Sequence, residues 1–257
     1  MNTQKQFKAM PLNRVRQLEW MDDPSLPESD RRWALAGLSR INRLSGVADV
    51  LLHQLQHYAR SLPERPLRVL DLASGEGDLP IHWALKAKLA NAKHADWDLC
   101  VTASDSCDRA IEQQQRRAEQ AGVGIRSLQM DCLNVPLPSG FDVIVCSLLM
   151  HQLDESQVFR LLQAMQLAST RAMLVCDFER TRWNLAIIKT ASHLLTRSPV
   201  FHHDSAISVK SAFTREEFAR IARAALTRPV RIRSVVPCRF MMVADESVVP
   251  VVSPVFA

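Results

Sequence analysis

The stretch that decides the fold is VLDLASGEGDLP, residues 69–80. It begins as an apolar strand that passes through Asp71, and it then reaches a turn that contains Gly75 and Gly77, two of only seven glycines in the chain. Glycine allows the backbone to turn tightly and to approach a ligand closely. The stretch therefore predicts a strand, a ligand-binding turn and a helix that covers roughly residues 79–91.

The spacing of these glycines separates the classes of nucleotide site. A dinucleotide fingerprint G-x-G-x-x-G would need a third glycine where Pro80 stands, which disfavours NAD and FAD. The chain has no G-x-x-x-x-G-K-[ST] motif, so the sequence offers no phosphate loop for a nucleoside triphosphate. What remains is an acidic residue, a small residue and two glycines at alternate positions.

Four more apolar segments follow at intervals that suit strands alternating with helices. They cover residues 99–104, 125–130, 141–147 and 172–176. Such runs suit strands that are covered on both faces, so the sequence predicts an α/β fold with a doubly wound, mostly parallel sheet. Ligands bind these sheets at the carboxyl ends of the strands. The residues predicted there are Asp71, Gly75, Asp105, Asp131 and Ser147.

Two alternatives stay open at this point. The turn at residues 73–77 is also compatible with an ordinary strand–helix crossover that binds nothing. Asp105 is also suited to cap the amino end of a helix predicted at residues 106–121, a role that is compatible with ligand binding. Residues 92–98 are interpreted as an inserted polar loop, which lengthens the separation between Asp105 and the first turn.

The acidic residue, the small residue and the glycines of residues 71–77 resemble motif I of the class I S-adenosylmethionine (SAM) methyltransferases. The stretch FDVIVCSLLMHQL, residues 141–153, is similar to the matching stretch of the ubiquinone/menaquinone-type branch of that family. The order of elements resembles small-molecule methyltransferases of polyketide and quinone-like pathways. The resemblance implies a Rossmann-like sheet of seven strands, SAM as the cofactor and methyl transfer to a small molecule.

The resemblance also implies which residues bind SAM. The turn would pass under the amino-acid part of SAM, with Asp71 acting on the methionine ammonium and Asp131 holding the adenine amino group. Asp105 would accept hydrogen bonds from the ribose hydroxyls. Ala73 stands where the family usually has its first glycine. The full set of expected cofactor residues is Asp71, Ala73, Ser74, Gly75, Gly77, Asp105, Ser106, Asp131, Cys132 and Ser147.

The predicted organisation is a helical extension, residues 1–62, followed by the methyltransferase domain, residues 63–257. Apolar positions at helical spacing predict helices at residues 29–43 and 47–60 in the extension. By analogy with the family, the extension is expected to act as a lid over the site. A helical insertion is predicted at residues 180–212.

The insertion is predicted to hold a helix, residues 182–195, and then a polar loop, residues 198–204. The apolar face of this helix is consistent with core packing, with a roof over an apolar substrate, or with weak contact to a membrane surface. Farther along, Thr214 opens a helix through a capping box. Residues 230–236 and 239–243 predict a terminal antiparallel pair.

Composition limits the class of protein. The chain has 257 residues and 47% hydrophobic content, enough for a large buried core. Its net charge is +5, but the basic residues are scattered, so no nucleic-acid partner is expected. No apolar stretch is long enough to span a bilayer, and the six cysteines form no C-x-x-C pair. These features favour a cytoplasmic protein with reduced thiols; they do not predict its oligomeric state.

Methyl transfer depends mainly on the alignment of donor and acceptor in a dry site. A phenolic acceptor has a high pKa and would benefit from a base. His203, which stands beside Asp204, is the first candidate for that base, and His151 is the second. No metal site is predicted, although Asp177 and Glu179 are the carboxylates that a magnesium-dependent alternative would use.

The sequence thus predicts a SAM-dependent methyltransferase that acts on a hydrophobic, phenolic or quinone-like small molecule. Oxygen is favoured over carbon as the methyl acceptor. Two alternatives stay open. A non-catalytic scaffold would bind SAM without turnover, and an RNA methyltransferase would be favoured by basic patches around the cofactor mouth.

Overall fold

The computed structural model describes residues 12–23 and 25–246. Its strands are β1 Leu67–Leu72, β2 Leu99–Asp105, β3 Arg126–Gln129, β4 Phe141–Ser147, β5 Ser169–Phe178, β6 Val230–Val235 and β7 Arg239–Asp245. Its α-helices are α1 Glu28–Leu44, α2 Val47–Ala59, α3 Asp78–Asn91, α4 Asp108–Ala121, α5 Glu155–Ala168, α6 Arg182–Leu195, α7 Pro199–Ser211 and α8 Arg215–Ala225. None of these helices is long and apolar enough to cross a membrane.

All seven strands form one sheet in the order β3-β2-β1-β4-β5-β7-β6. The first five strands in that order are parallel, and β7 runs antiparallel to both β5 and β6. The strand order reverses direction at β1, which is the point where ligands bind in open α/β sheets. The predicted fold class, including the terminal antiparallel pair, is confirmed.

The sheet is buried on both faces because neighbouring residues along a strand point to opposite sides. On one face, Val69 and Val143 pack in a core cluster with Leu51 of α2 and Trp83 of α3. On the other face, the next residues along β1 and β4 pack in a second cluster with side chains of α5 and α8, such as Phe218. The central strands β1, β4 and β5 therefore need almost continuous apolar runs, whereas the edge strands β3 and β6 expose part of their residues.

The helices predicted before β1 and after β5 are present, but the polar loop expected at residues 198–204 is wrong. Those residues begin α7. Ser198 caps the helix by accepting a hydrogen bond from the Phe201 backbone N–H (3.3 Å), and Pro199 occupies the first turn. Val200 and Phe201 are buried. The Ser-Pro pair is thus a helix start in this chain.

Helices α6 and α7 lie between β5 and α8 in the sequence and pack against each other and against α1. The division at residue 62 and the insertion limits of 180–212 stay predictions, as does the lid. Residues 1–11, 24 and 247–257 of those predicted units lie outside the described residues. The packing brings the amino-terminal part of the chain and the α6–α7 pair together above the carboxyl edge of the sheet.

Candidate functional site

A cavity of about 440 Å³ lies at the carboxyl edge of the sheet, under α1, α6 and α7. The loops after β1 and β2 line one end, which we call the sheet end; it includes Ala73, Gly75, Asp105 and Ser106. The opposite end, which we call the helix end, has apolar walls and a small group of polar side chains. Its apolar walls include Phe178, Ile188 and Phe201.

The β1–α3 loop contains three residues in the left-handed region of backbone space. They are Ala73 (φ 50°), Gly75 (φ 54°) and Gly77 (φ 82°). A side chain at Gly75 would meet nothing within 4 Å, whereas one at Gly77 would lie 3.1 Å from Gln114 of α4. Gly75 therefore faces open space at the cavity wall, while Gly77 allows α3 and α4 to pack closely.

Asp71 is buried at the end of β1, and its Oδ1 atom has no hydrogen-bond partner among the described residues. Burial, with a further contribution from the charge of Asp105, raises the pKa of Asp71 to about 7. The Ser147 hydroxyl at the end of β4 also lacks a partner within the described part of the chain. Both residues border a smaller cavity of about 150 Å³ that shares Ala73 and Gly75 with the larger one.

Buried polar atoms without partners are costly, so two of them beside a cavity indicate a ligand with complementary groups. An ammonium group would satisfy the Asp71 carboxylate, and the open space at Gly75 admits a ligand close to the backbone. The residues of this loop therefore fit the amino-acid part of SAM.

The Asp105 carboxylate joins the first two loops. Its Oδ2 accepts a hydrogen bond from the Gly75 N–H (2.9 Å), and its Oδ1 accepts one from the Cys107 N–H (3.0 Å). Each carboxylate oxygen has a further lone pair. Asp105 can therefore hold the turn before α4 and still accept a hydroxyl from a ligand in the cavity. The prediction that Asp105 caps the helix is wrong, because α4 begins at Asp108 and its N-cap residue is Cys107.

The other expected cofactor residues divide into two groups. Ser106 lines the larger cavity, and the Ser74 hydroxyl donates to the backbone carbonyl of Asp71 (2.9 Å). Asp131, in contrast, accepts hydrogen bonds from the Leu133 N–H and the Asn134 side chain, and its neighbour Cys132 lines a separate depression. Neither Asp131 nor Cys132 lines the two joined cavities.

His151 is buried at the helix end of the cavity, between two carboxylates. Its Nδ1 lies 2.7 Å from Asp177 Oδ1, and its Nε2 lies 3.4 Å from Glu19 Oε1. Burial alone would lower the pKa of His151, but the two carboxylates outweigh that effect and raise it to about 10. At neutral pH the ring is therefore an imidazolium that donates to both carboxylates.

Glu19 enters the site on residues 12–23, which we call the N-terminal segment. The Ser208 hydroxyl of α7 donates a hydrogen bond to Glu19, and both residues line the cavity. Burial raises the pKa of Glu19, but the hydrogen bonds from His151 and Ser208 and the charge of His151 keep it below the ordinary value. The cavity thus contains an ionised carboxylate that is held by two donors.

Asp204 fixes the N-terminal segment to α7. Its two carboxylate oxygens accept hydrogen bonds from the backbone N–H groups of Trp20 (2.8 Å) and Met21 (2.9 Å). At the other end of the segment, Arg14 donates to the Ser211 carbonyl (2.6 Å). These bonds determine where Glu19 stands relative to His151.

His203 forms the contact with Asp204 that its position suggests, at 3.0 Å between Nδ1 and Oδ1. Its ring stacks on Trp20 with 3.7 Å between ring centroids. His203 does not line the cavity, whereas His151 does. The two predicted histidines therefore occupy different places, one against the outside of the N-terminal segment and one inside the site.

Glu19 and Ser208 are the polar residues that sequence reasoning missed. Glu19 lies in a segment without helical or strand periodicity, 132 residues before His151, so no local signal marks it. Ser208 follows Asp204 by one helical turn, and this spacing would have placed both on one face of α7 if that helix had been predicted.

The described residues contain no group of three His, Cys, Asp or Glu side chains arranged to hold a metal ion. Asp177 is bonded to His151, and Glu179 accepts a hydrogen bond from Arg215 (2.6 Å). All six cysteines are free thiols.

Comparison with known proteins gives one family match and one sequence relative. The sequence model of the family described as "Methyltransferase domain" matches residues 69–169. Demethylmenaquinone methyltransferase from Thermus thermophilus is 31% identical over 105 residues, which are 40% of this chain and 44% of that protein. The matched part thus spans less than half of the length of this curated relative.

Solved structures with the same fold cover most of the chain. Magnesium protoporphyrin IX methyltransferase from Synechocystis, crystallised with S-adenosylhomocysteine (SAH), has a TM-score of 0.54 at 13% identity and covers 88% of this chain and 90% of its own. A plantazolicin methyltransferase in complex with SAH has a TM-score of 0.61 at 14% identity, with 88% and 92% covered. At these identities the likeness concerns the fold.

Proposed function

We propose that this chain, which belongs by fold and by its matched domain to the class I SAM-dependent methyltransferases, binds SAM and methylates a hydrophobic small molecule. The acceptor that we propose is phenolic or quinone-like, with oxygen as the atom that receives the methyl group. Quinone-type chemistry is supported by the distant relative, which is named for demethylmenaquinone. The free thiols suit a reducing compartment, and we propose that the protein is located in the cytoplasm.

One observation carries the proposal. A single cavity joins the loop residues that fit SAM, such as Gly75 and Asp105, to apolar walls formed by Phe178 and Phe201. The cavity volume of about 440 Å³ lies in the range typical of small-molecule sites. A cofactor at the sheet end and an apolar acceptor at the helix end would meet in a space from which water is largely excluded.

The residues proposed to hold SAM are those at the sheet end. Asp71 would bind the ammonium, the backbone at Gly75 would lie against the methionine part, and Asp105 would accept the ribose hydroxyls. SAM would supply a methyl group bonded to a sulfonium sulfur, and neutral SAH would be the leaving group when that bond breaks. The protein's own contribution is to hold the acceptor in line and to receive its proton.

Glu19 is the group that we propose to receive the acceptor's proton. Its carboxylate is ionised, faces the cavity and is fixed by Ser208 and His151. A hydroxyl bonded to this carboxylate would gain nucleophilic character and be oriented toward the sheet end.

His151 is an imidazolium at neutral pH and has no free nitrogen that could accept a proton. It would therefore position Glu19 instead of acting as the base. His203 would affect turnover only indirectly, through its contacts with Trp20 and Asp204, which hold the N-terminal segment in place.

The cofactor assignment is tested by calorimetric titration of SAM and SAH into the wild type, Asp105→Ala and the matched control Asp96→Ala. We expect Asp105→Ala to weaken binding by about tenfold or more, equivalent to about 1.4 kcal/mol. The control should bind nearly as the wild type does, because the Asp96 side chain is exposed and lines neither cavity. A folded wild type that binds neither ligand would refute the proposal.

The acceptor is tested with a panel of phenols and quinols, with SAH formation as the readout and mass spectrometry of the product. A methyl ether would support oxygen as the acceptor atom, and a ring-methylated product would assign carbon instead. Tight SAM binding without turnover on any acceptor of the panel would favour the non-catalytic scaffold.

A further inference from the structure

Helix α6 has an outer face that no other described element covers. Trp183, Ile187 and Leu194 are 75%, 46% and 80% exposed, respectively. At 100° per residue these three positions fall within an arc of about 40°, so they form one stripe along the helix. Three large apolar side chains on one exposed stripe are more than the scattered single residues of an ordinary surface.

The charged residues of α6 and of the loop after it are all basic, and Arg182 and Lys189 lie to one side of the stripe, about 100–120° from Trp183. The sequence from residue 180 to residue 203 contains no aspartate or glutamate. Arg182, Lys189 and Arg197 are exposed there. Arg40 of α1 adds a further basic group at the end of the helix, where it donates to the Leu195 carbonyl (3.2 Å).

The opposite side of α6 belongs to the cavity. Ile188 is buried and lines the helix end together with Phe178 and Phe201. Leu185 packs in the same small cluster as Ile188. Helix α6 is therefore a single layer between the outer surface and the apolar part of the cavity.

We propose that the outer face of α6 docks on the surface of an anionic lipid bilayer. An apolar stripe with a tryptophan, on a helix whose charged residues are all basic and lie to one side of the stripe, has the composition of helices that lie in the plane of a membrane interface. Negative headgroups complement Arg182, Lys189 and Arg197. A second copy of the chain is a poorer occupant, because a twofold contact through this face would bring the same basic residues of both copies together.

The docking stands independently of methyl transfer, since it concerns a surface and not the reacting groups. Where the proposed acceptor is also lipophilic, docking would place the helix end of the cavity beside the phase in which such a molecule dissolves. The contact is a surface one, in keeping with the absence of a membrane-spanning helix among the described residues.

The test is cosedimentation of the full chain with vesicles of phosphatidylcholine alone or mixed with phosphatidylglycerol. We expect binding to the mixed vesicles, weakening with added salt. The double variant W183S/L194S should bind mixed vesicles at least about tenfold less, and K189Q/R197Q should lose the preference for them. Leu167→Ser is the matched control, because Leu167 on α5 is 85% exposed and should bind as the wild type does.

Circular dichroism establishes that each variant is folded, and Ile187→Ser provides a milder change of the same face. Absence of wild-type binding to mixed vesicles would overturn the proposal, as would equal losses in W183S/L194S and Leu167→Ser. Sedimentation velocity without lipid tests whether this face binds a second copy of the chain instead. A wild-type dimer that W183S/L194S converts to monomer would assign the face to a second copy of the chain and overturn the proposed docking on a bilayer.

Discussion

The two ends of the cavity are assembled differently. At the sheet end, Asp71, Gly75 and Asp105 come from the ends of the neighbouring strands β1 and β2 and from the loop after β1, and a hydrogen bond from Gly75 to Asp105 joins the two strand ends. At the helix end, Glu19, His151 and Ser208 come from three distant parts of the chain. The sheet end therefore depends on local backbone geometry, whereas the helix end depends on how the N-terminal segment and α7 pack over the sheet.

The sharpest way to separate the two ends is Glu19→Gln. We expect turnover to fall by about a hundredfold or more, because the variant keeps the shape of the side chain but cannot accept a proton. SAH affinity, measured by calorimetry, should be unchanged because Glu19 lies away from the sheet end. Asp23→Asn is the matched control, because Asp23 lies on the same segment but is exposed and does not line the cavity, and no loss of that size is expected. Equal losses in both variants would count against a specific role for Glu19.

The His151 ion pairs allow a test through stability. The pKa of His151 is raised from 6.5 to about 10, so the folded state binds this proton more tightly than the unfolded state does. The stabilisation is full below pH 6.5 and is lost as the pH rises toward 10, at about 1.4 kcal/mol per pH unit. We expect the free energy of unfolding in urea to fall with pH more steeply in the wild type than in His151→Gln.

At pH 7 the same variant should be less stable by about 3–5 kcal/mol, because it leaves buried carboxylates without their partner. The other titratable groups are common to both proteins, so the difference between the two curves isolates His151. Parallel curves would show that the ring is neutral in the folded protein.

At the sheet end, Asp71 predicts a pH-dependent affinity. Its pKa of about 7 means that the carboxyl is largely protonated at pH 6 in the free protein. A ligand ammonium requires the ionised form, so SAH affinity should rise by up to about tenfold per pH unit below pH 7 and level off above it. Calorimetry in buffers of different ionisation enthalpy should detect proton release at pH 6. Asp71→Asn should bind more weakly, and its affinity should not change with pH.

The smallest effect is expected at Ala73, which adopts a left-handed conformation that disfavours side chains. Ala73→Gly should relieve this strain and stabilise the protein by about 0.5–1 kcal/mol after the entropy cost of glycine. The melting temperature should rise by about 1–3 °C. Ala92→Gly, at an ordinary right-handed position, should lower it instead.

The sequence was most informative where structure depends on near neighbours. Apolar runs and strand-end residues were sufficient to predict the parallel sheet, and Asp105 was correctly located at the end of β2. The capping box at Thr214 predicted the start of α8 because both of its bonds lie within four residues. In each case the signal and the structure occupy the same short stretch.

The helix end could not be predicted in the same way. The position of Glu19 depends on two hydrogen bonds that the backbone of Trp20 and Met21 donates to Asp204. These donors lie 184 and 183 residues before Asp204 in the sequence, so no local pattern records the contact. His151 was singled out from its stretch, but its charge state depends on Glu19 and Asp177, and such contacts across the fold leave no periodicity. The choice between His151 and His203 therefore needed the three-dimensional arrangement.

The position of α6 and α7 between β5 and α8 has a consequence for how this architecture can change. Apart from residues at and after the ends of β4 and β5, such as His151 and Phe178, the walls of the helix end come from two continuous stretches, the N-terminal part through α1 and the α6–α7 pair, and no strand lies within either stretch. Substitutions or length changes in these stretches can reshape the room for an acceptor while every strand pairing is kept. The protein is therefore suited to engineering by exchange of segments. Replacing α6 and α7 would change which acceptors fit the helix end and would leave the SAM-binding sheet end unchanged.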